Sequence, residues 1–226
     1  MRPKIVILAS GDGTTAEAFI RASATGTIDS EVGLIIVSRP TAGIFDRLAS
    51  LNKELKLSIE SLLISQSTHL AQPGEAVAKG FQTKAEEMAI LDTIKNGNFD
   101  LVALMGYMKR IGPNLIKEFG WQEGYTSIYQ ASMLNTHPGI LPDTKAMYGS
   151  QIQSYVLEHH LPYGGQTLHL VSEEYDDGPI LAEHRVPVEP GDTPETLFER
   201  VQKVEKKYVP IDIDAFVKAR ISFNSA

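Results

Sequence analysis

Short apolar runs alternate through most of this chain with segments whose apolar residues recur at helical spacing. The first three runs occupy residues 4–10, 32–37 and 58–64. Runs that are apolar on both faces are typical of buried parallel strands, because the helical crossovers between parallel strands cover both sides of the sheet. The pattern therefore predicts an α/β fold built on a doubly wound, mostly parallel sheet.

The middle of the chain continues this alternation. Met88, Leu91 and Ile94 lie along one side of a predicted helix, as expected for a helix that packs on a sheet. The elements predicted here are a helix at 84–96, a strand at 100–106, a helix at 113–119 and a strand near 132–136.

The pattern changes after Gly149. A helix at 151–160 precedes two strand-like segments, 166–172 and 180–188, which are separated only by residues 173–179. A connection this short predicts an antiparallel hairpin, since a parallel crossover takes a dozen or more residues.

A long last helix is predicted at the C-terminal end of the chain. Thr193 is a suitable N-cap, and Pro194 suits the first helical position because the amide hydrogen that it lacks has no helical partner there. Apolar residues then recur at intervals of four and three. We expect Pro210 to kink this helix, because its ring clashes with the preceding turn.

Composition narrows the class of protein. The 226 residues are 42% hydrophobic and 22% charged, and no stretch is rich enough in Pro, Gly or Ser to be a linker, so residues 1–226 are expected to form a single domain. No apolar run approaches the roughly 18 residues of a membrane span, and the N-terminus lacks a signal peptide pattern, which predicts a cytoplasmic protein with no membrane partner. The net charge of −7 disfavours a nucleic-acid partner, and the absence of Cys removes thiolate chemistry.

A glycine-rich turn joins the first predicted strand to its helix. Gly11, Asp12, Gly13 and Thr14 lie where free backbone N–H groups and the helix dipole favour an anion. Ala16 stands where a dinucleotide motif has its third glycine, and the Gly-Lys-Ser/Thr of a P-loop is missing, so the motif fits a monophosphate better. The alternative is an ordinary tight turn. The Asp12 carboxylate would repel a phosphate unless it turns outward.

Residues 135–142 carry the densest chemical pattern, Asn-Thr-His-Pro-Gly-Ile-Leu-Pro, at the carboxyl end of the fifth predicted strand. Ligands of open α/β sheets bind at this edge. Asn135 and His137 are two residues apart on an extended segment, so their side chains point to the same side and can converge on one substrate atom. The alternative is that His137 only caps the strand.

Asp176 lies in the predicted hairpin loop, where its carboxylate could orient an imidazole and stabilise its charge. Because surface turns rich in Asp and Gly are common, a plain turn is the alternative. His159 and His160 are expected to close a helix, and His169 and His184 fall on the hairpin strands without an identified partner. No His pair has zinc-protease spacing and no acidic cluster has calcium-loop spacing, so no catalytic metal is predicted.

Taken in order, five motifs resemble the glycinamide ribonucleotide formyltransferase family of purine biosynthesis, nearly from end to end. They lie at residues 11–15, 105–111, 135–142, 176–179 and 191–194. The family's Asn-x-His-Pro-Ser-Leu-Leu-Pro is kept apart from Gly139 and Ile140, and its Asp-Gly-Gly-Pro loop is kept apart from Asp177. The resemblance implies a Rossmann-like formyltransferase fold. It also implies direct transfer of a formyl group from 10-formyltetrahydrofolate to the primary amine of glycinamide ribonucleotide, without a covalent enzyme intermediate.

The resemblance further implies roles for individual residues. Asn135 and His137 would hydrogen-bond the formyl oxygen as it gains negative charge, and Asp176 would support His137 and help to move protons from the amine to the leaving folate nitrogen. The implied ribonucleotide-binding residues are Gly11, Asp12, Gly13, Thr14, Gln202 and Glu205. The implied folate-binding residues are Lys84, Met108, Lys109, Arg110, Ile111, Asn135, Val171, Ser172, Glu173, Glu174, Tyr175 and Asp176.

Departures from the family pattern leave the amine acceptor open. Asp12 stands where the family usually has Asn, residues 143–148 do not reproduce its Lys-Tyr-x-Gly-x-His segment, and residues 120–130 add a loop. A formyltransferase that acts on another amine, such as a nucleotide-linked amino sugar, is therefore an alternative. A second alternative is a non-catalytic nucleotide-binding module of the same fold, which the intact Asn, His and Asp disfavour.

Two related enzymes fit less well. Methionyl-tRNA formyltransferases carry a C-terminal RNA-binding domain for which we find no residues, and formyltetrahydrofolate hydrolases add an N-terminal regulatory domain, although the first strand here is predicted to begin at Lys4. We expect a monomer or a homodimer that acts on small-molecule substrates.

Overall fold

The computed structural model describes residues 2–225, and its elements follow the predicted order. The strands are β1 (Lys4–Ala9), β2 (Glu31–Val37), β3 (Glu60–Leu63), β4 (Leu101–Leu104), β5 (Met133–His137), β6 (Tyr163–Leu170) and β7 (Ile180–Pro187). The helices are α1 (Thr14–Ala24), α2 (Ile44–Leu55), α3 (Lys84–Asn96), α4 (Pro113–Phe119), α5 (Ser150–Glu158) and α6 (Pro194–Asn224), with a 3₁₀ turn at Ile128–Gln130. Over the described part of the chain, no helix has the length and apolar character needed to cross a membrane.

Seven strands form one sheet in the order β3-β2-β1-β4-β5-β6-β7. Neighbours from β3 to β5 are parallel, whereas β6 pairs antiparallel with both β5 and β7. The predicted doubly wound, mostly parallel sheet with a C-terminal hairpin and a long last helix is confirmed. The sequence analysis did not predict that β6 also extends the sheet beside β5.

Apolar side chains of the sheet pack against helices on both faces, as β1 shows. Ile5 and Ile7 pack in the cluster that includes α1, α2 and α6, whereas Val6 and Leu8 pack in the cluster that includes α3 and α4. All four side chains are fully buried, which explains why the strand is apolar at successive positions. The sheet is therefore covered by helices on both faces, which leaves the edge at the strand ends open.

Capping boxes open α3 and α6. At α3 the Thr83 hydroxyl accepts from the Glu86 N–H at 2.9 Å, and the Glu86 carboxylate accepts from the Thr83 N–H at 2.8 Å. Thr193 caps α6 in the same way with Pro194 in the first turn, as predicted. Helix α6 continues past Pro210, so the proline does not end it.

Residues 120–130 form the added loop between α4 and β5. Its aromatic side chains pack on the face of the core that carries α6, where the ring of Tyr129 lies 5.7 Å from the rings of both Phe216 and Phe223. These contacts tie the loop to the last helix.

Candidate active site

The polar residues singled out in the sequence meet at one edge of the sheet. The chain passes from β1 to β2 on one side and later enters β4 on the other side of β1, so the crossovers diverge between β1 and β4. A crevice opens at such a switch point beyond the carboxyl ends of the strands. The glycine turn follows β1, and residues 105–112 follow β4. Asn135 and His137 lie in the last three residues of β5.

Gly13 shapes the turn between β1 and α1. Its φ of 69° is left-handed, and a Cβ at this position would lie 2.5 Å from the Ile44 side chain, so only glycine fits without strain. No side chain caps α1, so its first N–H groups are left without a helical partner at the carboxyl edge of the sheet. Such an arrangement can hold a phosphate.

The Asp12 carboxylate lies beside the start of α2. Its Oδ1 is 2.7 Å from the place that a Cβ of Gly43 would take. The Asp12 carbonyl accepts a hydrogen bond of 2.5 Å from Arg47 Nε, and the same guanidinium pairs with Glu17. The carboxylate thus lies beside the N-terminal end of α2, where the helix dipole favours it.

The structure brings Asn135, His137 and Asp176 together. Asp176 Oδ1 lies 3.5 Å from the amide nitrogen of Asn135, and Asp176 Oδ2 lies 3.6 Å from Nδ1 of His137. His137 is 3% exposed and Asp176 is 9% exposed. The loop after β6 therefore places a carboxylate against the amide and the imidazole at the end of β5.

His169 is a fourth member of this cluster, and the sequence analysis missed it. Its Nε2 lies 3.1 Å from Asn135 Nδ2 and 3.4 Å from Asp176 Oδ1, and its Nδ1 lies 2.9 Å from the Leu170 carbonyl oxygen. A carbonyl only accepts, so Nδ1 carries the proton and Nε2 accepts from the Asn135 amide. His169 could have been found only by predicting that β6 pairs with β5, and the sequence pattern does not indicate that pairing.

Burial and neighbouring charges set the protonation of the cluster. Burial lowers the pKa of His137 below its ordinary value, and Asp176 opposes this effect only in part. Burial acts to raise the pKa of Asp176, but the positive charge that His169 and His137 present when protonated, together with the hydrogen bond from the Ala146 N–H, outweighs burial and holds that pKa below its ordinary value. Near neutral pH the cluster therefore holds a neutral imidazole beside a carboxylate.

A cavity opens beside the cluster at the carboxyl edge of the sheet. It is lined by Leu104, Tyr107, Lys109, Arg110, Ile111, Ile116, Asn135, His169, Val171, Ser172, Glu173, Glu174, Tyr175 and Asp176. Of the folate-binding residues that the resemblance implies, all but Lys84 and Met108 are among them.

Two of the implied folate residues do not line the cavity, and the cations at 109 and 110 already have partners. Lys84 is exposed in the first turn of α3, and Met108 is 39% exposed, and neither lines the cavity. The Lys109 ammonium pairs with the carboxylate of Glu86, which is fully buried by its capping role. The Arg110 guanidinium lines the cavity and donates to a backbone carbonyl, so its charge stays available there.

Glu205 of α6 lies next to the start of α1. Its carboxylate accepts a hydrogen bond of 3.1 Å from the Thr15 hydroxyl and is 8% exposed. Burial raises the pKa of Glu205, and hydrogen bonds from Thr15 and Thr136 oppose the rise. Gln202 lies three residues earlier on the same helix face and is partly buried. Glu205 therefore stands beside the first turn of α1.

A doubly wound sheet with an Asn, His and Asp cluster beside a cavity at its carboxyl edge defines an α/β enzyme that acts on small molecules. The model of the formyl transferase family matches residues 3–213 of the chain. The chain therefore belongs to the formyl transferase family, as the motifs predicted.

Individual relatives agree with this assignment. The chain is 27% identical over 209 residues to phosphoribosylglycinamide formyltransferase of Bacillus subtilis, a match that covers 92% of this chain and 91% of the relative. It is 30% identical over 204 residues to the enzyme of that name from Mycobacterium tuberculosis, covering 90% of this chain and 80% of the relative. The crystal structure of phosphoribosylglycinamide formyltransferase from Bacillus halodurans superposes with a TM-score of 0.75 and 28% identity, over 95% of each chain.

Proposed function

We propose that this enzyme transfers the formyl group of 10-formyltetrahydrofolate to the primary amine of glycinamide ribonucleotide, a step of purine biosynthesis. The observation that carries the proposal is the cluster of Asn135, His137 and Asp176, which lies beside the cavity and at the same sheet edge as the anion-binding turn. Relatives named phosphoribosylglycinamide formyltransferase support the same substrates.

The reaction forms one bond to the formyl carbon and breaks another. The amine nitrogen attacks the carbon, the formyl oxygen gains negative charge in a tetrahedral intermediate, and collapse breaks the bond from carbon to the folate N10. The Asn135 amide is fixed on a buried strand and can donate to that oxygen without a large rearrangement, and His137 adds a positive charge nearby once it has taken the proton of the amine.

Protons must also move, because the attacking nitrogen loses one and the leaving folate nitrogen gains one. The lowered pKa of His137 keeps its imidazole neutral near pH 7, so it can accept the proton of the amine. The Asp176 carboxylate faces Nδ1 and stabilises the imidazolium that forms, until the proton passes to the folate nitrogen.

The two substrates occupy different parts of the crevice in this proposal. The turn of Gly11, Asp12, Gly13 and Thr14 holds the phosphate through backbone N–H groups, and Gln202 and Glu205 hold polar groups of the ribonucleotide. The folate takes the cavity, where residues 171–176 close over its ring and Arg110 supplies a positive charge for an acidic tail.

We also infer that residues 1–226 act as a single formyltransferase domain in the cytoplasm, as a monomer or a homodimer. One continuous seven-stranded sheet supports the single domain. The net charge of −7 supports the absence of a nucleic-acid partner, and the lack of apolar spans in the sequence supports the absence of a membrane partner.

The test is an assay of the purified protein with 10-formyltetrahydrofolate and a panel of amines, following release of tetrahydrofolate. We expect saturable release with glycinamide ribonucleotide and none with a nucleotide-linked amino sugar. The matched control is His137→Ala, which removes the imidazole and leaves the anion-binding turn intact. Release with the amino sugar alone would contradict the proposed acceptor, and release with no amine in the panel would contradict formyl transfer to an amine.

A further inference from the structure

Thr144 lies in the segment between β5 and α5 that departs from the family pattern, yet it is fully buried. Its Oγ1 lies 2.9 Å from Nε2 of His137 and 3.0 Å from the Ile140 carbonyl oxygen. The hydroxyl therefore touches the catalytic imidazole on the side opposite Asp176, which faces Nδ1.

Gly139 makes this contact possible. A Cβ at position 139 would collide with the hydroxyl of Thr144 and would also meet the Ile152 side chain at 2.9 Å. The family motif usually has Ser here, as noted above, and a serine side chain could not share this space with Thr144. Gly139 and Thr144 are thus two departures from the family pattern that fit each other spatially.

Counting protons assigns a direction to each hydrogen bond. The Thr144 hydroxyl has one proton, and the Ile140 carbonyl can only accept, so the hydroxyl donates to Ile140 and offers a lone pair to His137. Nε2 of His137 must then carry a proton in the neutral ring. Nδ1 keeps its lone pair and faces the side on which Asp176 lies.

The His137 ring also has a hydrogen-bond acceptor for each of its N–H groups after it is protonated. An imidazolium donates from Nε2 to Thr144 and from Nδ1 towards Asp176, so every polar contact of the ring is then favourable. The charged and titratable groups that face this ring are Asp176 and His169. Thr144 adds an uncharged acceptor on the remaining side of the ring.

We propose that Thr144 is a positioning residue that holds His137 in the Nε2–H tautomer and so makes Nδ1 the nitrogen that exchanges protons during the reaction. The tautomer follows from the contacts of the free protein. Its catalytic consequence rests on the proposed function.

The direct test is the protonation pattern of the His137 ring, measured by ¹⁵N NMR of the imidazole nitrogens in the free protein at a pH above the His137 titration. The His137 signals are assigned by their loss in His137→Ala. We expect a protonated Nε2 and an unprotonated Nδ1 in the wild-type ring. In Thr144→Val, which keeps the shape and removes the acceptor, we expect a shift of the proton towards Nδ1, where Asp176 accepts it. An unchanged Nε2–H tautomer in Thr144→Val would overturn the proposal.

Kinetics provide the second readout. Thr144→Val should lower kcat roughly ten- to a hundredfold, the range for a lost hydrogen bond to a charged group, with the Michaelis constants of both substrates little changed. It should also move the acid limb of the kcat/KM profile to lower pH, because the imidazolium loses an acceptor. Thr144→Ser keeps the hydroxyl and should restore the wild-type tautomer, pH profile and most of kcat. A Ser variant as impaired as the Val variant, with intact thermal unfolding, would contradict the assigned role.

The two readouts separate this proposal from the proposed function. A tautomer shift in a protein that transfers no formyl group leaves the assignment of Thr144 standing and removes the function. If Thr144→Val transfers the formyl group with the wild-type tautomer and pH profile, the proposed function stands and the assignment of Thr144 is wrong.

Discussion

Asn135 and His169 face each other across the antiparallel pair of β5 and β6, with Asn135 Nδ2 3.1 Å from His169 Nε2. Because His169 donates from Nδ1 to the Leu170 carbonyl, its Nε2 is free to accept from the amide. This bond fixes which end of the Asn135 amide lies against Asp176. One amide hydrogen is held by His169, and the second, whose contact with Asp176 is 3.5 Å long, is the one that a developing oxyanion can take.

Removing either partner of the acid–base pair should stop most of the reaction without unfolding the protein. His137→Ala and Asp176→Asn are each expected to lower kcat by about two to four orders of magnitude, the range for general acid–base groups and oxyanion donors. Single-turnover rates with saturating folate measure the effect, and thermal unfolding confirms the fold. Near wild-type rates for both variants would refute the assigned roles.

The pH profile should show an acid limb below pH 6.5, the ordinary pKa of His. Burial, opposed only in part by Asp176, lowers the pKa of His137, and protonation removes the base that accepts the amine proton. As pH falls, kcat/KM should therefore stay level through neutrality and decrease only once His137 protonates. The residual activity of His137→Ala should lack this limb. A wild-type midpoint above 6.5 would show that Asp176 outweighs burial and that the sign of the shift is wrong.

Asp12→Asn should leave the Michaelis constant for glycinamide ribonucleotide within about twofold at low and high salt. The reason is that the Asp12 carboxylate lies beside Gly43 at the start of α2, where the helix dipole offsets its charge. The sequence alone left open a repulsion that Asp12→Asn would relieve. A several-fold lower Michaelis constant at low salt only would show that the carboxylate does face the phosphate.

Gly43→Ala is the companion variant for Asp12. Gly43 has a helical φ of −64°, so alanine fits the backbone, but its Cβ would lie 2.7 Å from Asp12 Oδ1 and force the carboxylate to move. We expect a raised Michaelis constant for the ribonucleotide that falls again as salt rises, because charge repulsion is screened. The double variant with Asp12→Asn should lose this salt dependence.

Activity should survive exhaustive chelation. Among residues 2–225, no three or more His, Asp or Glu side chains are grouped so that they could hold a metal ion, and the proposed chemistry uses only hydrogen bonds and proton transfer. The measurement is kcat before and after dialysis against a chelator, with metal content checked by mass spectrometry. Loss of activity that zinc or magnesium restores would contradict this expectation.

Features set by local pattern could be predicted from the sequence. The parallel strands, the capped start of α6 and the place of Asn135 and His137 at a strand end follow from apolar periodicity and motif spacing. Asp176 could be linked to His137 only through the family resemblance, since 39 positions of chain separate them and spacing alone does not set a contact at that range.

Features set by long-range pairing could not be predicted. His169 joins the cluster only because β6 pairs with β5, and a hairpin pattern does not say which strand lies on its other side. The ion pair of Lys109 with Glu86 was not predicted either, because it depends on the capping hydrogen bond that buries the Glu86 carboxylate beside the segment after β4. Both contacts join residues that are far apart in the sequence and meet only in the folded chain.

The most direct test of the account follows the formyl carbon itself. The protein is mixed with 10-formyltetrahydrofolate labelled with ¹³C in the formyl group and with glycinamide ribonucleotide, and the products are identified by NMR and mass spectrometry. The account predicts that the label appears in a formyl amide on the glycinamide nitrogen, with one tetrahydrofolate released for each amide and at least about a hundredfold slower formation by His137→Ala. Label recovered as free formate, or retained on the folate, would contradict it.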